Sequence, residues 1–288
     1  MTFNEGANVG SGKVSRRGRN GAIAGGGGIL GLLAVFLISQ LTGGVDLSGL
    51  LGGGEAGPEE TLNCTAEEAN TDDDCRVQGA AASLDIYWSG LAPDLGFDYT
   101  TPPVKIFDGS TSTGCGSATS AVGPFYCPAD ATIYLDTAFY ADLRSEFGAT
   151  GNSLAQMYIV AHEWGHHIQS LAGISSNLNL QDTGADSDSV RLELQADCFA
   201  GSWVGSAETI EDEKGVTFLA PLSQEQIDDA LNAAAAVGDD NIQEQTQGQT
   251  NPETWTHGSS ESRQKWFQAG REGGPNACNT FEVAGSEL

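Results

Sequence analysis

The chain has 288 residues, of which 39 are acidic and 12 basic, and its net charge is −27. Nucleic acids and anionic membrane surfaces repel so acidic a chain, and neither is expected to be its main partner. Hydrophobic residues make up 39% of the sequence, which is enough for one packed domain and too little for a protein with many membrane spans.

The N-terminal part combines a basic tail with a long uncharged stretch. Residues 1–20 carry four basic side chains and one acidic side chain. Residues 21–43 carry no charge and contain the run ILGLLAVFLI, and a helix of this length covers the ~30 Å hydrocarbon core of a bilayer. Because the positive charges precede this run, we expect a single-pass protein of the cell membrane, with a cytoplasmic tail (1–20), one transmembrane helix (21–43) and an extracytoplasmic remainder. A cleaved signal peptide is the alternative, although no small-x-small site follows the run cleanly.

The region after the anchor is expected to form a tether and one domain. Residues 44–62 are rich in Gly, Pro and acidic side chains, which predicts a flexible tether and a folded domain over 63–288. All six cysteines follow the anchor, and an even number outside the cytoplasm indicates disulfides. Other pairings stay open, but proximity favours Cys64 with Cys75 and Cys115 with Cys127, which leaves Cys198 and Cys278 as a long-range pair.

Local signals place several elements along the chain. Residues 131–136 alternate between polar and apolar side chains and are bounded by turn residues, which predicts a strand. Helices are predicted where a capping residue precedes an apolar periodic pattern. They are expected from Asn152 or Ser153 to Ala172, from Ser187 to Val204, from Ser223 to Gly238 and from Glu261 to Arg271. Strands are favoured over residues 80–136 and helices over the second half, which indicates an α+β fold.

Three of the four histidines lie together in the segment AHEWGHH at 161–167. His162 and His166 are four residues apart on a predicted helix, so both rings lie on one face within reach of one metal ion. Glu163 borders this face without competing for the metal. This H-E-x-x-H arrangement is typical of zinc hydrolases, in which the glutamate is the general base. The alternative is an amphipathic helix whose histidines only pack.

A catalytic zinc ion needs a third protein ligand and an open position for water. The best candidate is Glu193, which lies on the next predicted helix in the segment ELQAD. Asp197 lies one turn further on the same face. It is expected to accept a hydrogen bond from a zinc ligand, because metal-bound histidines usually donate their second N–H to a carboxylate. The alternative is that both acids belong to an ordinary solvated helix face.

The order H-E-x-x-H followed by E-x-x-x-D resembles that of the glutamate-type zincins. The sequence also resembles the bacterial neutral zinc metallopeptidase family over nearly its whole length. The segments that carry this resemblance are GGVD (43–46), GPFYCPAD (123–130), AHEWGHH (161–167), ELQADC (193–198), ALNAAAAVGDD (230–240) and THGSS (256–260). The resemblance implies a zincin-like fold, peptidase activity on protein or peptide substrates, one membrane anchor and an extracytoplasmic catalytic domain.

The fourth histidine, His257, precedes Arg263 by six residues. This spacing resembles a late motif of membrane-associated zincins that faces the active site. We expect His257 or Arg263 to stabilise the oxyanion of the tetrahedral intermediate, or His257 to be an additional zinc ligand. The alternative is a structural histidine in a helix-capping loop. His167 points about 100° away from the ligand face and is expected in a supporting or surface position.

These residues predict zinc-dependent hydrolysis of peptide bonds, with Glu163 as the general base on a water activated by Zn²⁺. An extended peptide is expected to pair with the edge of the strand at 131–136. The alternative function is that of a catalytically silent zincin-like envelope protein that binds partners, although such a protein has no physical need to retain Glu163. The acidic segment 182–188 is a second candidate metal site, for calcium, but it lacks the spacing of an EF-hand loop.

Overall fold

The computed structural model describes residues 2–17, 59–145 and 152–288, and it shows the mixed α+β fold that the sequence predicts. The strands are short: β1 (Val14–Arg17), β2 (Glu59–Thr61), β3 (Val104–Ile106), β4 (Ser110–Thr113), β5 (Gly116–Thr119), β6 (Phe125–Cys127) and β7 (Thr132–Leu135). The helices are α1 (Ala66–Ala69), α2 (Asp73–Leu95), α3 (Phe139–Ser145), α4 (Ser153–Leu171), α5 (Asp188–Ser206), α6 (Gln224–Ala236), α7 (Asp239–Gln247) and α8 (Ser260–Gly273).

Five strands form one sheet in the order β2-β1-β3-β7-β6. β3 runs parallel to both β1 and β7, whereas β2 and β6 pair antiparallel at the two ends of the sheet. β4 and β5 form a separate hairpin. The predicted strand at 131–136 is confirmed as β7. Its expected position at the edge is wrong, because β3 and β6 pair with its two sides; among the described strands the edge on this side is β6.

The predicted helices of the second half are present as α4, α5, α6 and α8, close to their expected bounds. α4 begins after Asn152, and Gly173 follows its end with a left-handed φ of 71°. Ser187 caps α5 through its side chain, and Ser223 forms a capping box with Gln226 at the start of α6. These ends could be predicted because the hydrogen bonds that set them span only a few residues.

Helix α2 lies where the sequence favours strands. Asp72 caps its start, and Gly96 ends it in the left-handed conformation. In between, the helix is buried on almost every side, from Val77 through Leu84 to Trp88. A helix that is buried all round has no polar stripe and therefore no amphipathic period to reveal it. This buried helix forms the centre of the core on which the sheet and α4 pack.

Residues 2–17 belong to the folded domain, although the sequence predicts a separate tail and a domain that begins near Asn63. Phe3 is 1% exposed and packs against Gly79 of α2. The main-chain N–H of Asn4 donates to the carbonyl of Phe218. β1 then lies between β2 and β3 in the sheet. The structure therefore places residues 2–17 within the fold of the domain, which differs from the separate tail that the sequence predicts.

The predicted anchor (21–43) lies outside the described residues, as does most of the predicted tether (44–62). Within the part of the chain that the structure describes, no helix is both long and apolar enough to cross a bilayer. The membrane-spanning helix therefore stays a prediction.

A disulfide and two glycines fix the position of α5, the helix that carries Glu193 and Asp197, relative to the C-terminal part of the chain. The two pairings favoured by proximity are confirmed, and so is the remaining pair, which joins Cys198 of α5 to Cys278 near the C-terminus. α5 and α8 cross so closely that a Cβ atom at Gly270 would lie 1.8 Å from the carbonyl oxygen of Cys198. A Cβ at Gly201 would lie 1.9 Å from the carbonyl oxygen of Phe267. Only glycine fits at such distances, and the crossing brings α8 within reach of the site.

Candidate metal centre and active site

Helices α4 and α5 bring the predicted ligands together. α4 carries His162 and His166, and α5 carries Glu193. The helices pack closely where Gly165 faces Ala196, since a Cβ atom at Gly165 would lie 3.0 Å from the Ala196 Cα. This small residue lies directly before His166, so the backbone of α5 can approach the ring-bearing turn of α4. The close packing lets Glu193 reach both rings.

The three side chains have the geometry of a zinc site. The Nε2 atom of His162 lies 3.1 Å from Oε2 of Glu193, and Nε2 of His166 lies 3.4 Å from Oε1 of the same carboxylate. One ligand atom from each residue lies within 4.8 Å of the others. A tetrahedral zinc ion with bonds of about 2.0 to 2.2 Å holds its ligand atoms roughly 3.4 Å apart. The residues present therefore fit this metal.

The charges at the site favour a cation between the rings and the carboxylate. Burial lowers the pKa of His162, but the carboxylates of Asp197 and Glu193 more than offset this and raise it to about 10. Burial would raise the pKa of Glu193, yet the neighbouring histidines hold it well below its usual range. The carboxylate is therefore ionised at neutral pH and available as a ligand.

Asp197 lies behind His162, as expected from the sequence. It is fully buried, and its Oδ1 atom accepts a hydrogen bond of 2.9 Å from Nδ1 of His162. The hydroxyl of Tyr158 donates to the same oxygen. Arg263 donates to both oxygens, from Nε at 2.7 Å and from Nη2 at 2.9 Å. This network keeps a proton on Nδ1 of His162, so Nε2 is the ring atom that would release its proton and bind a metal ion.

His166 is oriented by a chain of amides. Its Nδ1 atom donates to Oε1 of Gln169 at 2.9 Å. Nε2 of Gln169 donates to the carbonyl of Leu192 at 2.7 Å and to Oε1 of Gln195 at 3.1 Å. Gln195 in turn donates to the carbonyl of Cys278 at 2.8 Å. Because Nε2 of Gln169 donates twice, its Oε1 is the acceptor that faces His166, and Nδ1 of His166 carries the proton. The other ring nitrogen, Nε2, is then the one available to bind a metal ion.

Glu163 is buried at 8% exposure and lines the same cavity as the ligands. Burial raises the pKa of its carboxyl, and His162 and His166 partly counteract this. The main chain of Tyr126 in β6 also lies close enough to the carboxylate to lower this pKa slightly. A carboxylate with a raised pKa takes up a proton more readily than an exposed one, as a general base requires.

His257 lines this cavity and is paired with Asp239, a residue that the sequence did not single out. Nδ1 of His257 lies 3.2 Å from Oδ1 of Asp239. Oδ2 of Asp239 accepts three main-chain N–H groups, from residues 256, 257 and 258. Burial lowers the pKa of His257, but Asp239 and the charge of Glu193 raise it above its usual value. The pairing fixes the ring and leaves Nε2 unoccupied by the carboxylate.

A family model described as "Putative neutral zinc metallopeptidase" matches residues 4–281. The chain belongs to this family. It is 51% identical over 222 residues to the uncharacterized protein Rv2575 of Mycobacterium tuberculosis, which covers 76% of this chain and 74% of the relative. It is 39% identical over 278 residues to the uncharacterized protein YpfJ of Escherichia coli, which covers 94% of this chain and 92% of that relative. No solved structure matches the chain.

Arg263 is placed differently from His257 in this zinc metallopeptidase family member. The sequence offered either residue as the oxyanion donor. The guanidinium of Arg263 is 3% exposed and is engaged by Asp197, by the hydroxyl of Tyr158 and by the carbonyl of Val237. Its contacts fit a residue that holds Asp197 and, through it, His162.

His167 is neither a ligand nor on the surface. It is 1% exposed; Nε2 donates to the carbonyl of Thr100 at 2.7 Å, and Nδ1 accepts from the hydroxyl of Tyr126 at 3.2 Å. Burial lowers the pKa of His167, which keeps the ring neutral. The residue therefore ties α4 to β6 and to the segment before β3. This confirms the supporting position among the two that were expected.

Sequence reasoning did not identify Gln169, Asp239 or Tyr158. Gln169 follows His166 by three residues, a spacing that puts both on one helix face and that could have revealed it. Tyr158 precedes His162 by four residues on the same helix, which is an equivalent signal. Asp239 gave no such signal, because it reaches His257 across a turn and a helix.

The calcium site considered for segment 182–188 has no support in the geometry. Among the described residues, two groups bring three potential metal-ligating side chains together. One consists of His162, His166 and Glu193. The other includes Cys64 and Cys75, whose sulfurs form a disulfide and so are not free thiolates.

Proposed function

We propose that this protein is a zinc-dependent peptidase. The observation that carries the proposal is the convergence of two imidazoles and one carboxylate at zinc-like distances beside the buried carboxylate of Glu163. Membership of the zinc metallopeptidase family supports it. The ordered hydrogen bonds behind both histidines also support it, because metal sites depend on such support.

His162, His166 and Glu193 would hold the ion. Zinc bound there would supply a Lewis acid that polarises a carbonyl group and acidifies a water molecule. Glu163 takes a proton from the water molecule while the oxygen of that water attacks the carbonyl carbon of the peptide bond. The bond between carbon and nitrogen then breaks, and Glu163 delivers the proton to the departing amine. Products are a carboxylic acid and an amine, and Glu163 is regenerated as a carboxylate.

His257 is the residue we propose as the oxyanion donor. Asp239 raises its pKa against the opposing effect of burial, which favours the doubly protonated ring that an Nε2–H donor needs. His257 and Glu193 line the same cavity. Arg263 has the separate task of positioning Asp197.

The extended substrate is proposed to pair with β6, in place of the strand at 131–136. Ile133 of β7 donates its N–H to the carbonyl of Pro103, on the side away from β6. Tyr126, which faces Ile133 in the antiparallel register, therefore directs its own main-chain groups away from β7 and towards α4. Pairing through the main chain of β6 would bring a peptide across Glu163 and tolerate varied sequences.

The test is zinc content and casein cleavage by the full-length chain and by Glu163→Gln. We expect the same zinc content in both proteins and cleavage only by the wild type. Equal cleavage by both would show that Glu163 is not the base. Stoichiometric zinc with no cleavage of casein or of a peptide library by either protein would reject the peptidase and leave the catalytically silent binding protein.

A further inference from the structure

A large cavity opens at the metal site. Its volume is about 430 Å³, and its walls include His162, His166 and Glu193. Most of the remaining wall is apolar and comes from separate elements: Val122, Phe125, Phe139, Ile159, Val237 and Ile242. The volume falls in the range of about 300 to 1,000 Å³ that is usual for pockets that bury a ligand.

The apolar wall is directly beside the reacting groups. Ile159 precedes His162 by three residues on α4, so both side chains lie on one face of the helix. Val237 follows α6 and its carbonyl accepts from Arg263, which places it beside the network behind His162. Ile242 of α7 is half-buried and lines the cavity from the helix that also carries Asp239.

The cavity offers no partner for a charged side chain of a substrate. Its charged groups are the metal ligands together with Glu163, His257 and Arg263; the proposed reaction uses Glu163, and the others already pair within the site. A substrate ammonium or carboxylate would lose its water without gaining a counter-ion, which is unfavourable. An apolar side chain would instead exchange water for contacts with the aliphatic and aromatic wall.

We propose that this cavity selects substrates by a bulky apolar side chain, aliphatic or aromatic, on a residue that flanks the scissile bond. The inference rests on the proposed peptidase function and goes beyond it by naming the substrate class. Ile159, Val237 and Ile242 are the specificity-determining residues. Removing one methylene from a substrate group in such a pocket lowers kcat/KM by about 10- to 200-fold, so alanine at this position should be strongly disfavoured against leucine or phenylalanine.

The experiment is a cleavage profile of the full-length chain on a peptide library in which all residue types occur around every bond, read by mass spectrometry. Glu163→Gln is run alongside to remove contaminating activity. We expect one flanking position enriched at least tenfold in Leu, Ile, Met and Phe over Ala, with Asp, Glu, Lys and Arg depleted. Glu163-dependent cleavage without such a position overturns this inference and leaves the peptidase proposal standing. No cleavage by the wild type overturns both.

Ile242→Glu provides a second test, because it adds a carboxylate to the wall of the cavity. We expect the apolar enrichment to fall about tenfold and Lys and Arg to appear at the same position. Leu231→Glu is the matched control, since Leu231 is also half-buried against the core but lies outside the cavity. Its profile should equal that of the wild type. An Ile242→Glu protein with wild-type zinc content and an unchanged profile overturns the assignment.

Discussion

Replacing Gln169 by leucine tests whether the amide chain behind His166 supports metal binding. The substitution keeps the side chain's approximate volume and removes the acceptor for Nδ1 of His166, together with the donor to Leu192 and Gln195. His166 is then free to rotate or to adopt the wrong tautomer. Loss of such a partner typically weakens metal affinity by about 10- to 100-fold, or about 1.4 to 2.7 kcal/mol.

The same change should also destabilise the metal-free protein. Two buried acceptors, the carbonyl of Leu192 and the amide oxygen of Gln195, lose a donor, at about 1 to 3 kcal/mol each. Zinc affinity is measured by competition with a chromophoric chelator, and stability by thermal unfolding of the apoprotein. The two effects must be separated, because general destabilisation can itself weaken metal binding.

Gln78→Leu is the matched control. Gln78 is a fully buried glutamine of α2, a helix that carries none of the metal ligands. It donates to the carbonyls of Gly12 and Leu62 and accepts from the main-chain N–H of Cys64. It should lower the unfolding temperature as much as Gln169→Leu and leave the chelator competition unchanged. Equal zinc affinity in the two variants would refute the reasoning, since the hydrogen bond to His166 would then contribute nothing to the site.

Three further predictions follow from single contacts. Glu193→Ala should weaken zinc binding by more than about 100-fold in the same competition, and unchanged binding would move the third ligand elsewhere. Asp239→Asn removes the charge that raises the pKa of His257, so the alkaline limb of the kcat/KM profile should shift to lower pH; an unshifted limb would mean that His257 does not act in its protonated form. Gly270→Ala should destabilise the protein by at least about 2 kcal/mol in chemical unfolding, because its Cβ would meet the backbone of α5. The control Gly90→Ala lies on an exposed and open stretch of α2 and should be neutral or stabilising. Equal stability of the two variants would contradict the close crossing of α5 and α8.

The parts of the site that were predictable depend on short stretches of chain. His162 and His166 lie one helical turn apart, and Ser187 caps the helix that presents Glu193, so spacing and capping were enough to place these residues. The family resemblance supplied the zincin-like expectation for the rest. Asp239 was not predictable in the same way, because its contact with His257 depends on how α7 and the following loop fold back on each other.

The first half of the chain was harder to predict for two physical reasons. The helix from Asp73 to Leu95 is buried on all sides and so shows no amphipathic period. Strand β1 is paired with partners that are distant in sequence, Val104 on one side and Thr61 on the other. Its basic residues suggested a tail, but Arg16 forms ion pairs with Asp74 and Asp108 inside the fold.

The pairing of β1 with β2 has a practical consequence for producing this protein. Arg17 and Glu59 are opposite each other in the antiparallel register, so the chain departs from the sheet and re-enters it at neighbouring positions. A short Asn-Gly turn can bridge that gap, so the folded domain can be produced without residues 18–58. A chain that begins at Asn63 would instead lack β1 and β2. β3 would then be an unpaired edge strand, and exposed edge strands promote aggregation.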